Sequence, residues 1–352
     1  MAGITIGVVA LALLLICSIM FCIVWAWSPG KIAPHDDERG LSEIVRVDIG
    51  GLEQGMIIKS QNVDNPVLLF LHGGPGNPQY VLFNDIGLEE YFTVCWWDQR
   101  GSGMSYSGDL EPESITLDQM ISDTVEVTDY LRNRFGKDKI YLMGLSFGSF
   151  LGINVAARHP DLFEAYMGIS QVTSQLESEK LGYQSMLSVA EASGDSKSIK
   201  NLKQHHLDGP ETITTDYLML RSKTMEKQGT GVFHDSRSTF DYAIMPLLRA
   251  REYTLSDKYG FIAGSLFMLK TPANSAQFST NIMETITTIE VPVFFFHGVH
   301  DRVASYDLSR QYFDMLTAPR KEFFSFEHSA HSPHMEEPQR LVELIREHIL
   351  GL

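Results

Sequence analysis

Basic residues are in short supply in this 352-residue chain. Lys and Arg number 28 against 44 Asp and Glu, a formal net charge of −16. Nucleic acid is met by basic patches that neutralise phosphates, so this balance excludes a nucleic-acid partner. It equally disfavours adhesion of a folded domain to an anionic membrane surface. Cysteine is nearly absent: Cys17 and Cys22 lie in an apolar N-terminal run, leaving Cys95 alone in the remainder. No disulfide can form within the globular part, and cysteine usage carries no information on compartment. Internal repeats and low-complexity tracts are also lacking. What remains, with 44% hydrophobic and 20% charged residues, is the composition of a globular protein with a sizeable core.

Charge is missing altogether from Ile4 to Trp27. A helix needs about 20 apolar residues to cross a bilayer, so this run is long enough with some tilt. A cleaved signal peptide would carry basic residues ahead and a small-x-small site behind, and neither is present. Trp25 and Trp27 suit an interfacial belt. The expectation is an uncleaved single-pass membrane anchor over residues 1–40, ending in a Pro- and Gly-containing linker from Ser28 to Gly40. Gly3 and Gly7 add a weak G-x-x-x-G pairing signal.

Beyond the linker, Glu43–Ile49 alternates polar and apolar residues like a half-buried strand, and Met56–Lys59 is its hairpin partner. Continuous apolar runs follow at Val67–Leu71, Phe92–Trp97, Ile140–Met143, Ala165–Ile169 and Val293–Phe296. Such runs fit strands covered on both faces, as in a parallel sheet. Helical patterns at Leu117–Phe135 and Phe147–Arg158 alternate with them, which predicts an α/β domain. A last strand, Glu322–Phe326, leads to a terminal helix near Pro338–Ile349. The interval 171–290 lacks strong strand runs and reads as a helical insertion over the C-terminal edge of the sheet. The expected division is therefore 1–40 anchor, 41–170 with 291–352 as core, and 171–290 as cap.

The chemistry is concentrated at strand ends. Gly144-Leu145-Ser146-Phe147-Gly148 lies between an apolar strand and a helix. A sharp strand-to-helix turn exposes a serine hydroxyl, and the helix start directs free N–H groups at a developing oxyanion. Such a serine needs a base, and the base an orienting carboxylate. Asp301 follows strand Val293–Phe296, and the histidine-containing segment Glu327–His334 follows strand Glu322–Phe326. Serine, acid and histidine thus stand at the ends of successive strands. His328, His331 and His334 compete for the base. Their spacing of three also raises zinc as a lesser reading, but Pro333 would interrupt an aligning helix and no cysteine is near. His331, just before Ser332-Pro333 and the acidic helix start at Glu336-Glu337-Pro338, is the choice. In His72-Gly73-Gly74-Pro75-Gly76, the glycines permit close approach of backbone to substrate. Gly74 and Phe147 are the expected oxyanion donors, with Gly73 as the fallback. Asp98 precedes the serine in the chain and is expected to bond within its own turn with Arg100.

His72-Gly73-Gly74-Pro75-Gly76, Asp98-Gln99-Arg100-Gly101-Ser102-Gly103 with Ser105, and Gly144-Leu145-Ser146-Phe147-Gly148-Ser149 together resemble the prolyl aminopeptidase (proline iminopeptidase) group of α/β-hydrolases. The resemblance covers roughly Glu43–Ser170 and Val291 to the C-terminus. It implies the α/β-hydrolase fold, a mostly parallel central sheet flanked by helices with a helical cap. It places the group's catalytic serine, aspartate and histidine on Ser146, Asp301 and His331. There are two departures. The elbow usually reads GGSWGS in that group, and the cap glutamates that hold a free substrate amine have no matched position here, although Glu226 and Glu252 are available. The expectation is a membrane-anchored serine hydrolase that needs no cofactor or metal and acts on a small-molecule or short-peptide substrate, as an aminopeptidase or amidase. The alternative within enzymes is an esterase or lipase on acyl esters. The alternative outside them is a catalytically silent membrane-tethered interaction module.

Overall fold

The computed structural model describes residues 9, 11, 15, 18–82, 86–235 and 237–352. Strands β1 (Leu41–Ile49), β2 (Leu52–Ser60), β3 (Val67–Leu71), β4 (Thr93–Trp97), β5 (Ile140–Leu145), β6 (Phe163–Ile169), β7 (Val293–Gly298) and β8 (Lys321–Phe326) form one sheet. Their order is β1-β2-β4-β3-β5-β6-β7-β8. The β1–β2 hairpin and the β2–β4 pair are antiparallel, and every later pair is parallel. This is the α/β-hydrolase fold that the motifs imply.

All five residues of β3 and of β4 are buried, as are all six of β7, which is why they read as unbroken apolar runs. Helices α1 (Leu117–Phe135) and α2 (Phe147–Arg158) follow β4 and β5. Thr116 caps α1 by accepting from Gln119 N, and Gly136 ends it at φ 61°. Helix α2 buries Phe147 through Ala156 without a break, so it packs as a core element and shows little amphipathic pattern. Apolar clusters fill both faces of the sheet. Each fully buried large side chain there contributes about 1.5–3 kcal/mol.

Register positions the site. Leu71 lies opposite Trp97 and Gly144, Gly144 opposite Gly168, Ile169 opposite Phe296, and Gly298 opposite Phe326. The segments after β3, β5, β7 and β8 therefore leave the sheet at one edge. Between β6 and β7 the described residues contain helices and no strand, including α3 (Gln175–Ser193), α4 (Thr215–Gln228), α5 (Leu255–Met268) and α6 (Pro272–Ser279). Thr214 and Thr254 cap α4 and α5, the latter with Asp257 in a reciprocal capping box. After β7 come α7 (Tyr306–Met315) and, following β8, α8 (Pro338–Leu344).

The N-terminal expectation needs correction. Among the described residues no helix is long and apolar enough to cross a membrane. Within the expected span Ile4–Trp27, the described residues 9, 11, 15 and 18–26 are helical. Residues 1–8, 10, 12–14 and 16–17 lie outside the described residues, and Gly3 and Gly7 with them. The expected single-pass membrane localisation and membrane partner are thus overturned. The stretch leading into β1 is bonded to α5 and the segment before it: Lys258 Nζ donates to Trp27 O at 3.2 Å, Lys31 N donates to Arg251 O at 3.0 Å, and Pro29 bridges to Thr254.

Candidate active site

Ser146 stands between β5 and α2 at φ 53°, ψ −120°, a conformation that costs a non-glycine residue about 1–3 kcal/mol. The two flanking glycines explain how strand and helix come so close. A Cβ on Gly144 would lie 2.2 Å from Gly148 O, and one on Gly148 would lie 2.1 Å from Leu71 O. Ser146 N is used by Ile169 O at 3.0 Å, which pins the turn to β6. Phe147 heads α2, where a backbone N–H has no acceptor within the helix, and its ring is fully buried.

The glycine loop after β3 reaches the same point. A Cβ on Gly73 would sit 3.2 Å from Ser146 Cβ, and Gly74 adopts φ 118°, open to glycine alone. His72 anchors the loop. Burial lowers its pKa to about 4, so the ring is neutral. Its Nδ1 donates to Gly73 O at 3.0 Å while its Nε2 accepts from Gln99 N at 3.1 Å.

Asp301 and His331 meet. Asp301 is fully buried, and its Oδ2 accepts from His331 Nδ1 at 2.8 Å. Its Oδ1 accepts from the backbone N–H of Val303 at 2.8 Å and of Ala304 at 3.0 Å. Burial pushes the carboxyl upward, but the adjoining His331 and His297 outweigh it and hold its pKa well below the usual carboxylate range. His331 is held in turn by Ser170 Oγ, which donates to its carbonyl at 2.9 Å, and by its own N–H, which donates to Gly231 O at 3.2 Å. Ser146, Gly74 and His331 line one cavity of about 280 Å³. The other two histidines of the trio are elsewhere. His328 is exposed, and His334 is buried with its pKa lowered to about 3 by burial and the neighbouring His331. Among the described residues, no group of three or more potential ligands could hold a metal ion.

One predicted pairing is incorrect. Asp98 does bond in its own turn, accepting from Met104 N at 2.8 Å, but its second partner is Tyr253 Oη at 2.8 Å rather than Arg100. Arg100 reaches across to Asp123, with Nε at 2.6 Å and Nη2 at 2.9 Å. The geometry of a bidentate fork favours a fully buried carboxylate on α1 over a near neighbour in the chain. Sequence reasoning also missed His297. Its Nε2 lies 3.0 Å from Asp301 Oδ2 and 2.9 Å from Ala304 O, both acceptors, so it carries the proton and braces the carboxylate. The only signal was a histidine ending an apolar strand four residues before the acid.

Comparison with known proteins agrees with this fold. Residues 66–338 match the family model described as alpha/beta hydrolase fold. The Bacillus subtilis (strain 168) protein named "Probable aminopeptidase YbaC" is 35% identical over 314 residues, 89% of this chain and 98% of that protein. A proline iminopeptidase of Saccharolobus solfataricus is 26% identical over 297 residues, 81% of this chain and 85% of its own. Among solved structures, the proline iminopeptidase of Mycobacterium smegmatis superposes with a TM-score of 0.62 at 18% identity, covering 88% of this chain and 98% of that one.

Proposed function

The chain belongs to the α/β-hydrolase family, in the group that resembles the proline iminopeptidases, and from that membership we propose a serine hydrolase that cleaves a small peptide or amide as an aminopeptidase. Residues 171–290 act as its cap. Ser146 Oγ attacks the substrate carbonyl carbon while its proton passes to His331 Nε2, and the carbonyl π electrons move onto oxygen. The N–H groups of Phe147 and Gly74 receive that oxyanion. As the tetrahedral intermediate collapses, the C–N bond breaks and His331 gives its proton to the departing nitrogen, leaving an acyl-serine. Water attacks the ester, its proton going to His331 and then back to Ser146 Oγ. Asp301, ionised and bonded to Nδ1, holds the imidazole in the tautomer whose Nε2 can accept, and stabilises the imidazolium when it forms.

The observation that carries this reading is the 2.8 Å Asp301–His331 bond beside the cavity that Ser146 also lines. The aminopeptidase assignment draws on the relatives' names. Amide and ester substrates share every step above, so the test compares them. A fluorophosphonate is expected to label the wild type at Ser146 and to leave Ser146→Ala unlabelled, with arylamide turnover falling by about 10⁴-fold or more. Equal labelling of both proteins removes the nucleophile assignment. Turnover of acyl esters alone, with no aminoacyl arylamide cleaved, replaces the aminopeptidase with an esterase.

A further inference from the structure

Ser146 stands where two cavities join. One is the 280 Å³ space that holds His331, walled further by Asn77, Gln79, Leu145, Val232, Tyr242 and Met335. The other, of about 470 Å³, is lined by residues of α4, α5 and α6, among them Leu218, Met219, Leu266 and Phe278, with Leu269. Gly74, Ser146, Arg221, Ser222 and Val303 belong to both. We infer that the larger cavity is the acyl subsite and that it is built for a bulky apolar acyl group, while the smaller takes the leaving group. This deepens the hydrolase reading and rests on it for which arm is which.

The division follows from where the proton must go. His331 returns its proton to the leaving atom, so the leaving group has to occupy the arm that contains His331. The acyl carbon, bonded to Ser146, then carries its substituent into the other arm. A cavity of about 470 Å³ falls within the ~300–1,000 Å³ of pockets that hold drug-sized molecules.

The chemistry of the wall sets the preference. Several of its polar side chains are already engaged, although Arg221 keeps a buried Nε without an acceptor. Gln277 Nε2 donates to Asn274 Oδ1 at 2.6 Å, and Asn274 Nδ2 donates to Leu269 O at 3.0 Å. Gln175 Nε2 donates to Val303 O at 2.9 Å and to Glu179 Oε1 at 3.0 Å, and Arg221 pairs with the same carboxylate. Lys223 and Glu226, of opposite sign, add no net charge. With the hydroxyls of Thr215, Ser222 and Thr239 interspersed, most of the surface left for a ligand is aliphatic and aromatic. Met219 and Leu266 are 52% and 60% exposed, so an acyl group that covers them removes apolar area from water.

The experiment has two arms. Wild-type hydrolysis of aminoacyl p-nitroanilides is measured over glycyl, alanyl, valyl, leucyl, phenylalanyl and prolyl members, and calorimetric binding of the same compounds is measured on Ser146→Ala. We expect kcat/KM in the first arm and affinity in the second to rise about fourfold per buried methylene and to favour leucyl and phenylalanyl over prolyl. Met219→Asp and Leu266→Asp should flatten both series, and both positions are exposed enough to keep the fold. Met315→Asp, at an equally exposed methionine outside either cavity, should preserve the slope. A flat or falling series in both arms, or a slope unchanged by the two aspartates, overturns the inference. Binding that rises with acyl size on Ser146→Ala without wild-type turnover supports the apolar subsite and sinks the hydrolase reading instead.

Discussion

Replacing Asp301 by Asn keeps the shape of the side chain and changes two things, its charge and one of its acceptors. In the native arrangement Oδ1 accepts from Val303 N and Ala304 N, and Oδ2 accepts from His331 Nδ1 and His297 Nε2. An asparagine must choose an orientation. Turning its NH₂ toward the two backbone N–H groups would leave those buried donors unmatched, at about 1–3 kcal/mol each. The amide oxygen therefore stays on Val303 and Ala304, and the NH₂ faces the histidines. His331 Nδ1 must then accept, which moves its proton to Nε2, and an Nε2–H cannot take the proton of Ser146. The same exchange in a serine protease triad costs about 10⁴-fold in kcat. At about 1.36 kcal/mol per tenfold, that corresponds to about 5.4 kcal/mol of lost transition-state stabilisation. We expect Asp301→Asn to lose 10³- to 10⁴-fold in kcat/KM on an arylamide, with KM little changed, because no ground-state contact to substrate is removed. Circular dichroism should show a native fold. Asp301 also contributes stability that is present above its unfolded pKa and lost as pH falls through its depressed folded value, and the variant should lack that component. A folded Asp301→Asn enzyme within tenfold of wild type would refute the proposed role of the carboxylate.

Two further outcomes follow from the packing. Gly148→Ala should fail to fold stably or show a sharply lowered Tm, because the new Cβ would meet the carbonyl of Leu71 at 2.1 Å with only backbone available to move; a Tm within a few degrees of wild type contradicts the close strand–helix contact. Asp98 is fully buried, and burial raises its pKa from 3.8 to about 7, so folding favours its protonated form and stability should decline between about pH 4 and pH 7, by up to about 4 kcal/mol. Asp98→Asn can still accept from Met104 N and donate to Tyr253, and urea unfolding at pH 5 and pH 8 should show a smaller difference than wild type; an unchanged difference means that the slope arises elsewhere.

The strands and the two helices around the elbow were legible because their signals are local. Val67–Leu71 is β3 to the residue, and Leu117–Phe135 and Phe147–Arg158 are α1 and α2. Burial on both faces writes itself into a strand as an unbroken apolar run, and a tight elbow demands glycine on either side of its serine. The N-terminal run shows the limit of the same reasoning. Hydropathy alone predicted a crossing there, and among the described residues no helix is long and apolar enough to make one.

The sequence alone determined the α/β order of elements, the strained serine turn, and which acid and histidine follow which strand, since chain order and local sterics are one-dimensional facts. The tertiary structure decided every partnership that spans the chain. Tyr253 takes Asp98 while Arg100 turns to Asp123, His297 braces Asp301, and Leu218, Leu266, Leu269 and Phe278, from the stretch between β6 and β7, line a cavity that Ser146 also lines. A buried polar group takes whichever complementary partner the packing delivers within hydrogen-bond reach. That choice depends on distances in space, which the order of residues does not encode.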